Sequence, residues 1–312
     1  MSTLFKDGRI FVPGDDIVFA VDAYSGTPLW QLEAPNSRRI GVLKNCGQML
    51  ITDEYLYIAV QGKCWAVNVG DGSRAFTLEA PDLTANGDSG RSHDWGYLDC
   101  VGDRLFGTGQ KPGASFDALS TFTCGILEGD FRLVMISEYL FAMDRHDGAQ
   151  HWVYQNGAIM NNCIAIMDGT LYFVESRNER ARNRESGRIR IDHFCESDTY
   201  LVALDIESGE KRWEHPVTFP FQHIFYLNGA EGVLLASGSY NLEDKVFYGL
   251  YAFDAANGEP KWDSTFRARD IRCTGYADLG GTHGEQWQHP VLMQGTAYAR
   301  PYAFDLHTGE QK

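Results

Sequence analysis

Apolar residues in this chain come in short runs, and the runs end on a shared polar punctuation. In the stretch from Leu201 to Trp213 the run closes on Asp205, a glycine follows four residues later, and an aromatic four residues after that. The same arrangement recurs at Asp22, Gly26 and Trp30, at Asn68, Gly72 and Phe76, at Asp144, Gly148 and Trp152, at Asp254, Gly258 and Trp262, and at Asp305 with Gly309. An Asp at the mouth of a tight turn accepts hydrogen bonds from turn amides, and a glycine further on takes the left-handed conformation that closes a hairpin. The pattern therefore predicts paired strands at every copy. The run before the turn is apolar at successive positions, as in Leu250–Phe253, which predicts strands buried on both faces.

The acid or amide markers lie 46, 76, 61, 49 and 51 residues apart. The short intervals fit one four-stranded unit per repeat, a period near that of radial β arrays, and the long ones add an insertion. About six units are expected, near residues 1–37, 38–82, 90–155, 156–217, 218–265 and 285–312, within a single domain. In the first, no strand precedes Arg9, so its innermost strand is expected to be absent; in the last, the outermost is. Such ragged ends predict a fragment of a longer array, or a protein that needs a partner to cover the gap. Insertions are expected over 111–137 and 177–198, and the second, rich in Arg and Glu, reads as a solvated loop. Phe76 in place of tryptophan predicts a slightly weaker joint there.

Composition narrows the function classes. A hydrophobic fraction of 44% over 312 residues supports a large core. The formal charge of −15 argues against nucleic acid and anionic membrane surfaces as partners. No apolar run is long enough to span a membrane as a helix, and the first residues lack the apolar core of a secretory leader. Cysteines 46, 64, 100, 124, 163, 195 and 273 show no C-x-x-C pair and no adjacent pair, and read as buried thiols rather than a disulfide framework or zinc site.

The copies Ala203-Leu-Asp205 with Gly209 and Trp213, and Ala252-Phe-Asp254 with Gly258 and Trp262, resemble the tryptophan-docking motif of the pyrroloquinoline quinone (PQQ)-like repeat family. The resemblance covers essentially the whole chain. It implies an all-β fold, a β-propeller of four-stranded antiparallel blades, here about six with the first and last incomplete, from a seven- or eight-bladed array. It also implies that each tryptophan stacks near the glycine turn of a neighbouring blade. Two activities occur in the family: PQQ- and calcium-dependent alcohol dehydrogenases, and non-enzymatic scaffolds of outer-membrane assembly. The resemblance further suggests a bacterial, periplasmic setting. The vicinal disulfide of the dehydrogenases and a C-x-x-C-H haem motif are both missing from the sequence.

In a propeller, residues just before the first strand and just after the second share one axial face, and those positions are polar here. A protein partner or small ligand is expected at that face. The first choice is a binding or assembly scaffold, and the alternative is a quinoprotein oxidoreductase. For the alternative, Asp94 is the candidate base, with Asn161, Glu175, Arg177, Arg300, Trp95 and Lys111 as candidate cofactor contacts, and Glu175 and Asn161 as calcium ligands. His93, His223 and His289 form an alternative transition-metal set.

Overall fold

The computed structural model describes residues 3–37, 39, 47–83, 93–115, 133–243, 245–267, 290–299 and 301–312. Within these, the chain forms two compact units. One draws on Met1–Gly129, Met135–Asn156 and Glu185–Arg188; the other on Asp130–Val134, Gly157–Arg184 and Ile189–Lys312.

In the first unit, strands β1 (Leu4–Lys6), β2 (Arg9–Pro13), β3 (Ile17–Asp22) and β4 (Pro28–Glu33) pair in chain order. The second sheet repeats this with β5 (Met49–Ile51), β6 (Tyr55–Val60), β7 (Lys63–Asn68) and β8 (Arg74–Glu79). In β9 (Asp94–Val101), β10 (Arg104–Gln110), β11 (Leu133–Asp144) and β12 (Gln150–Tyr154), each strand again pairs antiparallel with the next. The cores lie between the faces of successive sheets. Phe11, Val18 and Ala20 meet Leu56 and Ile58, while Tyr57 and Ala66 meet Trp95, Leu105 and Phe141. Sheets stacked face to face in this way bury alternate residues of each strand against a neighbour.

The second unit opens with β13 (Ala158–Met167) and β14 (Thr170–Ser176). The chain then passes through α1 (Glu179–Arg182), β15 (Arg188–Arg190) and α2 (Ile191–Phe194), and returns as β16 (Thr199–Asp205) and β17 (Lys211–Pro216). Strands β18 (Ile224–Ala230), β19 (Val233–Leu242), β20 (Lys245–Asp254) and β21 (Pro260–Arg267) form a four-stranded sheet. The last sheet has three strands, β22 (Val291–Met293), β23 (Thr296–Ala299) and β24 (Tyr302–Asp305), with an isolated bridge from Phe304 to Gln311.

Two expectations are corrected. Leu4–Lys6 pairs with Arg9–Phe11 across the Asp7-Gly8 turn, so the first sheet has four strands. The segment 177–198 is folded rather than a solvated loop. The Asn178 side chain caps α1 by accepting from the Ala181 amide at 2.8 Å and donates to the His193, Phe194 and Ser197 carbonyls. Around it Ala181, Ile189, Ile191 and Phe194 are buried, which gives the segment the apolar content that its charge count hides.

The repeated turns form as their residues predict. In all six the glycine amide donates to the carbonyl of the Asp or Asn four residues earlier, at 2.8 to 3.0 Å. Each glycine has a positive φ between 71° and 79°. The aspartates Asp22, Asp144, Asp205, Asp254 and Asp305 accept from the amide two residues on.

Indoles fill three of these turns from the preceding sheet. Trp30 donates to the Val69 carbonyl at 3.0 Å, Trp213 to Ala255 at 3.1 Å and Trp262 to Leu306 at 2.9 Å. Their rings lie so close to the glycine that an added Cβ would stand 2.7 Å from Trp30 at Gly72, and 2.6 Å from Trp213 at Gly258 and from Trp262 at Gly309. Phe76 has no N–H to offer and packs on Tyr55 and Tyr57 of its own sheet. The equivalent acceptor, the Arg145 carbonyl, instead receives the Tyr57 hydroxyl at 3.1 Å. The joint keeps its hydrogen bond through a different residue.

Candidate functional site

The strand ends of the third sheet gather the densest set of predicted site residues. β9 opens at Asp94 and β10 ends at Gln110, and the register sets these two opposite each other, with Gln110 in turn opposite Ser137 of β11. His93, Asp94, Lys111 and Glu138 therefore share one edge. The His93 ring nitrogen Nε2 lies 2.6 Å from Glu138 Oε2, and Lys111 Nζ lies 3.5 Å from the other carboxylate oxygen. The hydrogen bond with His93 holds the Glu138 carboxyl below its ordinary range, and Lys111 adds to this.

Asp94 behaves in the opposite sense. Burial pushes its carboxyl up, against a hydrogen bond from the Gly113 amide at 2.8 Å and the nearby charges of Arg39 and His93. Arg39 clamps the start of β9 by donating to the Trp95 and Gly96 carbonyls at 2.7 and 2.6 Å. Between these groups is a small cleft lined by Asn36, Ser37, Arg39, Gln61, Asp94 and Gln110, among others. Trp95 itself is 1% exposed. It sits edge-on to Phe141 at 4.9 Å, in space left by Gly107, where a Cβ would be 2.6 Å from the indole. Its ring faces belong to the core.

A second cluster lies in the other unit, at the end of β14. Arg177 Nε donates to Glu175 at 2.6 Å, its terminal nitrogens bond both oxygens of Glu214, and its guanidinium stacks 4.0 Å over the Tyr200 ring. Burial opposes the Arg177 charge, but the bonds to Glu214 and Glu175 outweigh it and raise its pKa. Arg177, followed by Lys211, pulls the Glu214 carboxyl down to about 2. Glu175 is fully buried, and its second oxygen has no hydrogen-bond partner among the described residues. Asn161 and Asn162 are buried on β13, where the Asn162 amide donates to the Phe225 carbonyl, and His223 is buried just before β18. Arg300 and His289 lie outside the described residues, as do Cys46, Cys124 and Cys273. Cys64, Cys163 and Cys195 are buried free thiols, and Cys100 is partly buried.

The described residues do not fit calcium with a quinone. A calcium ion takes about six to eight oxygen ligands, whereas one Glu175 oxygen is bound to a guanidinium whose charge would repel the ion. No group of three His, Cys, Asp or Glu side chains suited to a metal occurs among the described residues. His93 is paired with Glu138. Sequence reasoning missed Glu138 and Glu214, since each sits within a strand and reaches the cluster only through the register of its sheet.

Residues 126–312 match the family model described as outer membrane protein assembly factor BamB. The chain is 24% identical over 177 residues to outer membrane protein assembly factor BamB of Burkholderia pseudomallei (strain K96243), covering 56% of this chain and 39% of that protein. It thus spans about two fifths of the length of that curated relative. Among solved structures, BamB from Moraxella catarrhalis aligns over 97% of this chain and 71% of its own, with a TM-score of 0.51 at 13% identity. A europium-containing methanol dehydrogenase aligns over 99% of this chain and 67% of its own, with a TM-score of 0.53 at 13% identity. At such identities the structural likeness speaks to fold alone.

Proposed function

The chain belongs to the PQQ-like β-propeller repeat family, whose matching model is described as outer membrane protein assembly factor BamB, and from that premise we propose that it is a binding scaffold in outer-membrane protein assembly. The work is done at the periplasmic side of that membrane, and the polar edge around His93, Asp94, Lys111 and Glu138 is the contact surface for a protein partner. The observation that carries this reading is the state of the charges. Arg177, a candidate cation for a quinone, is closed by Glu175 and Glu214, whereas Glu138 joins His93 and Lys111 with its side chain 37% exposed. Partly exposed charges of both signs set the register and on-rate of a docking protein, and do so without performing chemistry.

The test uses the purified chain and an outer-membrane β-barrel assembly protein, with affinity read by calorimetry. Glu138→Lys is expected to weaken binding about tenfold, a loss near 1.4 kcal/mol, and Lys111→Glu added to it is expected to recover part of the loss. Equal affinities for all three chains would sink the contact surface. In a parallel arm the chain is dialysed against PQQ and calcium, and a stoichiometric quinone absorbance on the protein would overturn the scaffold reading in favour of an oxidoreductase.

A further inference from the structure

The first of the repeated turns is left open, with no side chain over its glycine among the described residues. In the second, fifth and sixth sheets the glycine turn is covered by a tryptophan of the preceding sheet, at Gly72, Gly258 and Gly309. At Gly26 the turn has the same φ, the same glycine-to-Asp bond at 2.8 Å and the same Asp-to-amide bonds. Yet nothing among the described residues lies within 4 Å of where its Cβ would be. Gly26 is exposed, where Gly72 and Gly258 are buried. Its neighbour Tyr24 is 89% exposed. Ala23, one residue after the aspartate, holds the position whose carbonyl accepts the indole at Val69, Ala255 and Leu306.

A second observation points to the same side of the sheet. The register sets Phe5 opposite Ile10, Ile10 opposite Val21, and Val12 opposite Phe19, so these five share one face. The other face carries Phe11, Ala20 and Trp30 and is packed against the second sheet. Phe5 is 64% exposed, and Ile10, Val12, Phe19 and Val21 are only partly buried. In the second sheet the indole at Gly72 arrives from the sheet packed on its near side, which is the first. By the same geometry the Gly26 receptor opens toward the Phe5 face, where Phe5 stays exposed among the described residues.

We propose that the Asp22–Gly26 turn and the Phe5 face together form a docking site for a β-sheet of a partner polypeptide that presents a tryptophan, with the indole on Gly26 and its N–H on the Ala23 carbonyl. The ligand class follows from the three filled copies, which accept an indole in one geometry. The chain has no spare described indole of its own: Trp30, Trp213 and Trp262 fill receptors, Trp95 and Trp152 are buried, and Trp65 lies beneath Arg74. This inference is independent of the His93–Glu138 edge, so either can fail alone.

The experiment titrates the 15N-labelled full chain with N-acetyltryptophanamide and, separately, N-acetylphenylalaninamide. The expected result is saturable movement of the Gly26 and Ser25 amide resonances with the indole compound, and at least about tenfold weaker movement with the phenyl compound. Gly26→Asn, which tolerates positive φ and fills the open space, is expected to abolish the response while its unfolding temperature stays at that of the natural chain. No response at Gly26, or an equal response in Gly26→Asn, overturns the proposal. Trp287 lies outside the described residues, and Trp287→Phe checks it. If that substitution alone moves the Gly26 resonance, the chain fills its own receptor and the partner proposal falls.

Discussion

The turns at Asp22–Gly26 and Asn68–Gly72 have one backbone and two fates. Both close with a glycine amide on the carbonyl four residues back and both hold the glycine at positive φ, but only the second lies under an indole. The turn is therefore set by its own residues and does not need the tryptophan to form. Asp22 supports this, since its carboxyl is held below its ordinary range chiefly by the Ser25 amide and hydroxyl, groups inside the turn itself. The indole is then an occupant of a preformed receptor, and its burial joins two sheets that would otherwise only touch.

Substitutions at filled and open turns test that view. Trp213→Ala is expected to have the largest effect, a loss of about 3–5 kcal/mol in unfolding free energy by chemical denaturation, because it empties a receptor and strands the Ala255 carbonyl. A loss under about 1 kcal/mol would mean that the sheets are held mainly by their faces. Gly72→Asn comes next. Its Cβ would meet Trp30 at 2.7 Å, and overpacking of this kind costs about 1–3 kcal/mol, whereas Gly26→Asn is expected to stay within about 0.5 kcal/mol of the natural chain. Equal costs at the two glycines would mean that both turns are covered alike. The smallest destabilisation, above only the near-neutral Gly26→Asn, belongs to Tyr57→Phe, about 1 kcal/mol, for removing the hydroxyl that serves the Arg145 carbonyl. A null result in a thermal melt would show that this hydrogen bond does not substitute for the missing indole.

Much of this was legible in the sequence, because it depends on residues within a dozen positions of one another. The Asp-x-x-x-Gly spacing carries its turn wherever it stands, and an aromatic four residues on falls on the returning strand. What escaped is what depends on partners far along the chain. Leu4–Lys6 is too short to show a period, although Asp7-Gly8 marks the turn after it. The segment 177–198 reads as charged because six arginines outnumber its apolar residues; only the placement of Asn178 under three carbonyls reveals a folded insertion. At the candidate site, the sequence brought out His93, Asp94, Lys111, Glu175 and Arg177 by their positions at strand ends. Glu138 and Glu214 were hidden inside strands, and the burial of Trp95 follows from Gly107 and Phe141 on neighbouring strands.

The hydroxyl of Tyr57 carries a wider consequence. It stands on the second strand of its sheet, while the aromatic it relieves stands on the fourth, and the carbonyl it reaches is the one an indole would have taken. What must be preserved at such a seam is an acceptor supplied with a donor, whichever strand provides it. Repeats in this architecture can thus drift apart in their signature residue and still interlock, and a tally of tryptophans undercounts the seams that hold.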